Sequence, residues 1–320
     1  MPARPIPVVY DGDPGHDDAL AILLAASHPA LDLRAITTVA GNQTLDKTTL
    51  NARRLCTVAG ITDVPIAAGC AAPLVGPLRT AGDVHGETGM DGPRFGEPTV
   101  AVHELHAVEL TRRILLDSDR PVTLIATGPL TNLAMLLRRF PEDRDRIERI
   151  AIMGGSTERG NTTPYAEFNV LVDPEAAEQV LASGVPTTWM GLNVTHQATA
   201  TPAVIERITA LDTPLAEICV ELLTFFGATY REVFGFEAPP VHDPVAVAQV
   251  IDPSLVTTRQ VPMRIELAGA HTRGATVVDL AGRTGWEPNA TVGLELDVPR
   301  FWELMIAAIE HLGRRDPAPA

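Results

Sequence analysis

Apolar residues in this chain come in short, nearly unbroken runs rather than alternating ones, and that pattern restricts the fold more than any other feature. Pro7–Tyr10, Leu33–Val39, Val122–Ala126 and Ile150–Met153 each read as a strand of this kind. Strands without a polar face suit a parallel sheet covered by helices on both sides. Helix-length stretches near Asp17–Ser27, Leu45–Ala59, His103–Leu116 and Leu130–Arg139 separate or follow them, and this alternation predicts an α/β fold. The last third departs from it. Leu255–Leu267 and Ala275–Leu280 read as strands with no helix between them, which predicts a hairpin or an antiparallel edge. A closing helix follows near Arg300–Leu312, with a frayed tail over 314–320. At 320 residues, 45% of them hydrophobic, the chain can fill a large core. Neither an internal repeat nor a linker is visible. The expected architecture is a single domain over 1–320, with a mainly parallel central sheet flanked by helices and a small antiparallel addition near the C-terminus.

Charge narrows the range of partners. Forty acidic residues face 25 basic ones, a formal net charge of −15, and Lys47 is the single lysine. No basic stripe exists to track a nucleic-acid backbone. Cys56, Cys70 and Cys219 have neither zinc-site nor redox-motif spacing. The N-terminal MPARPIPVVYDGD lacks an apolar stretch of signal-peptide length, and the longest apolar run, Ala19–Ala26, is too short to span a bilayer. The expectation is a cytoplasmic protein with no membrane partner.

The segment VVYDGDPGHDDALAILLA places Asp11, Asp13, Asp17 and Asp18 around a Pro14-Gly15 turn, between the first strand and the first helix. Ligands of open parallel sheets bind just outside the carboxyl ends of strands. Asp17 or Asp18 alone would be read as a helix cap. Four carboxylates at one turn repel one another strongly, and a bound cation relieves this. Hard oxygen donors suit calcium or magnesium. His242-Asp243-Pro244 opens a further helix over Pro244–Ile251. Asp-Pro is an ordinary cap pair and recurs at Asp173-Pro174, so His242 is the more suggestive member. Gly41-Asn42, Thr127-Gly128 and Asn161 are equally compatible with plain turns. Two long polar stretches, 71–102 and 154–172, are of the length that usually carries function.

Taken together, DGDPGHDDALAILLA, ITTVAGNQTLDKTTLNA, HGETGMDG, ATGPLTNLA, IMGGSTERGN, AEFNVLVDPEAA and VHDP resemble, in order and over about residues 6–313, the inosine-uridine nucleoside hydrolases. The resemblance implies hydrolysis of the N-glycosidic bond of ribonucleosides, pyrimidine-preferring or broadly uridine/inosine-directed, and a homodimer or homotetramer. It implies one Ca2+ held by Asp13, Asp18, Asp243 and the backbone carbonyl of Thr127, with Asp13 also the general base. Asp17, Asn42 and Asn169 would hold the ribose 2′- and 3′-hydroxyls. Asn161 and Glu167 would hold the 5′-hydroxyl, with His85 nearby and Met153 under the sugar. His242 lies where some members place the acid that protonates the leaving base, and Asp11 would support the loop from behind.

The chemistry is coherent with those residue types. Breaking an N-glycosidic bond builds positive charge on the sugar, which carboxylates stabilise. Neutral amides grip hydroxyls without adding charge. An imidazole can protonate a base that leaves poorly as an anion. Over 224–240, TFFGATYREVFGFEAPP, a lid over the base is expected. Tyr230 and Phe234, four apart, share a helix face there; they read either as that lid or as plain core. The chain departs from some members in lacking a phenol at Phe234. His16 within DPGHDD resembles the pyrimidine-preferring branch. Two rival readings remain: a haloacid-dehalogenase-type phosphatase, disfavoured by Pro14-Gly15 directly after Asp13 and by the single lysine, and a non-catalytic calcium-dependent nucleoside- or ribose-binding protein, disfavoured by the intact carboxylate set.

Overall fold

A computed structural model describes residues 4–314. Its strands are β1 (Ile6–Gly12), β2 (Leu31–Thr38), β3 (Ile66–Ala68), β4 (Val122–Ala126), β5 (Ile147–Met153), β6 (Thr187–Met190), β7 (Val256–Val261), β8 (Met263–Ile265), β9 (Thr276–Val278) and β10 (Ala290–Leu296). Eight of them form one sheet in the order β3-β2-β1-β4-β5-β6-β10-β7. All neighbours in it are parallel except β10 and β7.

Both faces of the sheet are covered, as the unbroken apolar runs require. On β1, Val8 and Tyr10 face one core while Val9 faces the other; on β5, Ala151 and Met153 oppose Ile150 and Ile152. Helices His16–Ser27, Asp243–Ile251 and Val298–Gly313 pack together in the first core, and Ala107–Asp117, Thr131–Arg139 and Pro174–Leu181 lie in the second. The helix His16–Ser27 is buried from His16 to Ala25, the expected place for a helix apolar all round.

The C-terminal third contains both of the antiparallel alternatives. β7 is the antiparallel edge strand against β10, and β8 and β9 make a separate two-stranded sheet. The expected single strand over 255–267 is divided at Pro262, which has no N–H to continue a ladder. Helix 103–116 starts later than expected, at Ala107, because the His106 ring caps it by accepting the Val108 N–H. The tail expected to fray lies outside the described residues beyond 314. Among the described residues no helix is long and apolar enough to cross a membrane.

Candidate active site

The strand order reverses between β1 and β4, and the crevice at such a switch point is where an open α/β sheet binds ligands. Asp13 leaves the end of β1, Asn42 follows β2, Thr127 follows β4 and Met153 ends β5. All four sit at the carboxyl edge of the sheet. The Pro14-Gly15 turn then sends the chain into the helix carrying Asp17 and Asp18. From the other side comes Asp243, at the first turn of helix Asp243–Ile251.

Five carboxylic acids are buried at this edge: Asp11, Asp13, Asp17, Asp18 and Asp243. One oxygen from each of Asp17, Asp18 and Asp243 lies within 4.8 Å of the others. Asp13 stands beside this trio. Its Oδ2 accepts the Asn42 backbone N–H at 2.6 Å, while its buried Oδ1 has no hydrogen-bond partner. Asp18 accepts from Tyr10 Oη (2.8 Å), Thr127 Oγ1 (2.9 Å) and the Gly15 N–H (3.0 Å). Burial, then repulsion among these acids, holds Asp13 and Asp243 well above the usual carboxylate range and pushes Asp17 up to about 7. An all-oxygen donor set, mutual repulsion and an orphaned carboxylate oxygen fit a hard divalent cation.

Asp11 points to the other side of the loop. Its Oδ1 accepts from Thr37 Oγ1 (2.5 Å) and Asn132 Nδ2 (2.8 Å), which matches its expected supporting part, and burial pushes its pKa up to about 7. Asn132, which sequence reasoning did not single out, also donates to the Thr38 carbonyl and accepts the Cys70 N–H. It ties the ends of three strands together from within ATGPLTNLA.

A cavity of about 720 Å³ opens above the acids, lined by Asp17, Asn42, His85, Thr127, Met153, Asn161, Glu167, Asn169, Tyr230, Phe234, His242 and Asp243. Every other residue expected to touch substrate or metal thus reaches one space, with Asp13 and Asp18 buried directly beneath. Glu167 is the N-cap of helix Phe168–Val172, and its carboxylate also accepts the Gly155 N–H at 2.9 Å. Asn169 Nδ2 donates to the Thr127 carbonyl (2.7 Å) and the Met153 carbonyl (3.2 Å), which leaves its Oδ1 to accept from a hydroxyl. Asn161 Oδ1 accepts the Phe168 N–H at 3.0 Å, leaving its amide N–H groups as donors.

Two imidazole networks flank the cavity. His242 Nδ1 meets Thr195 Oγ1 and its Nε2 meets Tyr230 Oη, both at 2.7 Å, while its backbone N–H donates to Asp17. Burial, reinforced by His196, holds His242 well below the usual imidazole range. The helix Pro214–Phe234, which covers the first part of the expected lid segment 224–240, therefore brings a phenol to His242 from Tyr230, one turn before the position where one is missing. Thr195 was not foreseen, since nothing local marks GLNVT. On the adjoining wall, joined to Tyr230 through Phe226, His16 Nδ1 lies 3.1 Å from His85 Nδ1, and His16 Nε2 lies 2.8 Å from the Asp91 carbonyl oxygen.

A family model described as inosine-uridine preferring nucleoside hydrolase matches residues 8–303. Pyrimidine-specific ribonucleoside hydrolases RihA of Enterobacter sp. (strain 638) and Shewanella woodyi are 48% and 47% identical, over 97% and 96% of this chain and 99% of each relative. Among solved structures, a purine-preferring ribonucleoside hydrolase from Gardnerella vaginalis superposes with a TM-score of 0.90 at 29% identity, covering 96% of this chain and 99% of its own. The plant nucleoside hydrolase PpNRh1 superposes with a TM-score of 0.88 at 30% identity, covering 97% and 100%.

Proposed function

Because the chain belongs to the inosine-uridine preferring nucleoside hydrolase family, we propose that its cavity takes a pyrimidine ribonucleoside and that the acids beneath it hold calcium. The chain is a ribonucleoside hydrolase, using water to break the bond between ribose and base, and the phosphatase reading is set aside. The pyrimidine preference is supported by the names of its 47–48% identical relatives and by His16 in DPGHDD.

The observation that carries the mechanism is the buried Asp13 Oδ1 with no partner among carboxylates that repel it. Asp13, Asp18, Asp243 and the Thr127 carbonyl would hold the ion. When bound, a hard cation supplies Lewis acidity that makes a water easier to deprotonate. Asp13 Oδ1 takes the proton from the attacking water. Asp17, Asn42 and Asn169 Oδ1 orient the 2′- and 3′-hydroxyls of the ribose, and Asn161, Glu167 and His85 hold its 5′ end above Met153. Buried carboxylates stabilise the positive charge that grows on the sugar as the bond breaks. His242, after taking up a proton from solvent, passes it through the Tyr230 hydroxyl on its Nε2 to the departing base and returns to neutral imidazole. We further propose that the whole chain, 1–320, is one such domain, acting in the cytoplasm as a homodimer or homotetramer; light scattering tests the assembly.

Base release from uridine, cytidine, inosine, adenosine and 2′-deoxyuridine, followed by chromatography, tests the reading. Uridine and cytidine should be the best substrates. The deoxynucleoside should be slower by roughly 10⁴-fold, since it leaves buried groups without their hydroxyl. Comparable rates on uridine and 2′-deoxyuridine would remove the assigned sugar contacts. No base release from any of them would leave a binding protein.

A further inference from the structure

His16 is buried at the first turn of its helix, and its ring stacks on Phe225 and Phe226, with centroids 5.2 Å away and planes within 4°. Its two nitrogens have different neighbours. Nε2 faces the Asp91 carbonyl oxygen at 2.8 Å, and a carbonyl only accepts, so Nε2 carries hydrogen. A neutral imidazole then has a bare Nδ1. That bare nitrogen lies 3.1 Å from His85 Nδ1. Two lone pairs cannot face each other at that distance, so the proton between them belongs to His85. The His16 backbone N–H is also directed at the same His85 nitrogen, but at 3.5 Å, beyond the ordinary N–H range, so the 3.1 Å contact between the rings is the closer of the two.

The surroundings fix this contact. The loop carrying the Asp91 carbonyl is folded onto the Asp91 carboxylate, which accepts the Glu87 N–H (2.9 Å) and the Thr88 N–H (3.1 Å). Asn51 Nδ2 donates to the carbonyls of Pro14 and Thr88, both at 3.0 Å, joining this loop to the turn that carries His16. Gly15 must lack a side chain, because a Cβ there would lie 2.6 Å from His85 Nδ1.

We propose that His16 is a positioning residue that holds His85 in the Nδ1–H tautomer, so that His85 turns a bare Nε2 to the cavity and accepts a hydrogen bond from the substrate. The donor is a sugar hydroxyl or a base N–H, an identification that rests on the nucleoside-hydrolase reading; the tautomer itself does not. The wall supplied by His85 thus rejects a ligand that presents only an acceptor there, as a site built for one partner rejects its analogue.

The test is long-range 1H–15N correlation on histidine-labelled full chain, with the H85N spectrum identifying the His85 signals. His85 should show a protonated Nδ1 and a pyridine-type Nε2. His16→Phe keeps a ring against Phe225 and Phe226 but removes both nitrogens. It should turn His85 into a tautomer mixture and lower kcat/KM for uridine by roughly 10- to 100-fold, the usual cost of losing an orienting partner. His16→Asn, whose Oδ1 replaces the Nδ1 acceptor, should restore the Nδ1–H signal and the larger part of the activity. A wild-type His85 protonated at Nε2 overturns the proposal, as does an unchanged His85 spectrum in H16F. If H16F does not fold, the wild-type spectrum still decides. Wild-type protein that shows the Nδ1–H tautomer yet does not hydrolyse uridine would sustain the positioning role and refute the substrate reading.

Discussion

At Asp13 the two carboxylate oxygens have unequal surroundings: Oδ2 takes the Asn42 N–H, while Oδ1 is buried with no partner. Asp13→Asn keeps an acceptor for that N–H and removes the base. Turnover of uridine should fall by roughly 10³-fold or more, with the melting temperature of the metal-free protein preserved or raised. Near-normal uracil release by this variant would refute the assignment. The backbone around Asp13 is equally constrained. A Cβ on Gly41 would lie 2.1 Å from Asp13 Oδ2 and 2.7 Å from Pro129 Cδ; one on Gly128 would lie 2.6 Å from Asp13 Oδ1. Neither glycine has left-handed backbone angles, so the reason for glycine is close approach alone. Gly41→Ala should therefore displace Asp13, costing about 1–3 kcal/mol of stability and lowering activity at least 100-fold. A G41A enzyme with wild-type kinetics would show that the carboxylate position is not critical.

Two elements meet where the leaving base is proposed to lie, and neither contains the whole of the proposed device. Helix Pro214–Phe234 brings Tyr230, and the residue capping helix Asp243–Ile251 is His242, 2.7 Å away. With Thr195 on its Nδ1 and Tyr230 on its Nε2, His242 can hand a proton it takes up to the Tyr230 hydroxyl. Tyr230→Phe keeps the ring and deletes the hydroxyl. Uridine cleavage by this variant, and by His242→Ala, should fall roughly 10²-fold or more, while a nitrophenyl riboside, whose leaving group is stable as an anion, should be nearly spared. Equal losses on the two substrates would make the pair structural. This device also marks the limit of what one sequence reveals. The acids around Pro14-Gly15 are adjacent in the chain, so their repulsion and hence the cation could be argued from spacing. The strands with unbroken apolar runs were equally visible. β3 has three residues, β6 opens with two threonines and β10 contains Gly293, so none makes a comparable run. Asn132, Thr195 and the Tyr230–His242 contact join residues from 12 to 121 positions apart. Only the folded sheet brings them together.

On the scale of the whole molecule, folding buries five acids in one place, and this makes stability depend on pH and metal together. Asp11 and Asp17 are pushed up to about 7, and Asp13, Asp18 and Asp243 are raised as well, mainly by burial. A carboxyl whose pKa is higher in the folded state favours folding at low pH, and that contribution is lost as pH rises through the folded value. Buried histidines act in the opposite sense. His16 and His196 are lowered to about 4, and His85 and His242 are also lowered, so each opposes folding as pH falls below the ordinary 6.5. Between pH 8 and 6.5 the raised acids titrate in the folded chain, while the histidines only begin to, each reaching half protonation in the unfolded chain at the lower end. Chelator-treated protein should therefore become more stable as pH falls from 8 to 6.5. Asp11 and Asp17 together contribute on the order of 1–2 kcal/mol over that span, which the four histidines roughly offset, so the net rise comes from Asp13, Asp18 and Asp243. Calcium should change the sign of the trend. It competes with protons for the same oxygens, so the stabilisation it adds grows with pH. Thermal melts at pH 6.5 and 8, each with chelator and with saturating calcium, check this directly. The calcium-induced rise in melting temperature should be larger at pH 8, and in D13N it should shrink at both. A rise that is independent of pH, or undiminished in D13N, would place the cation away from these acids.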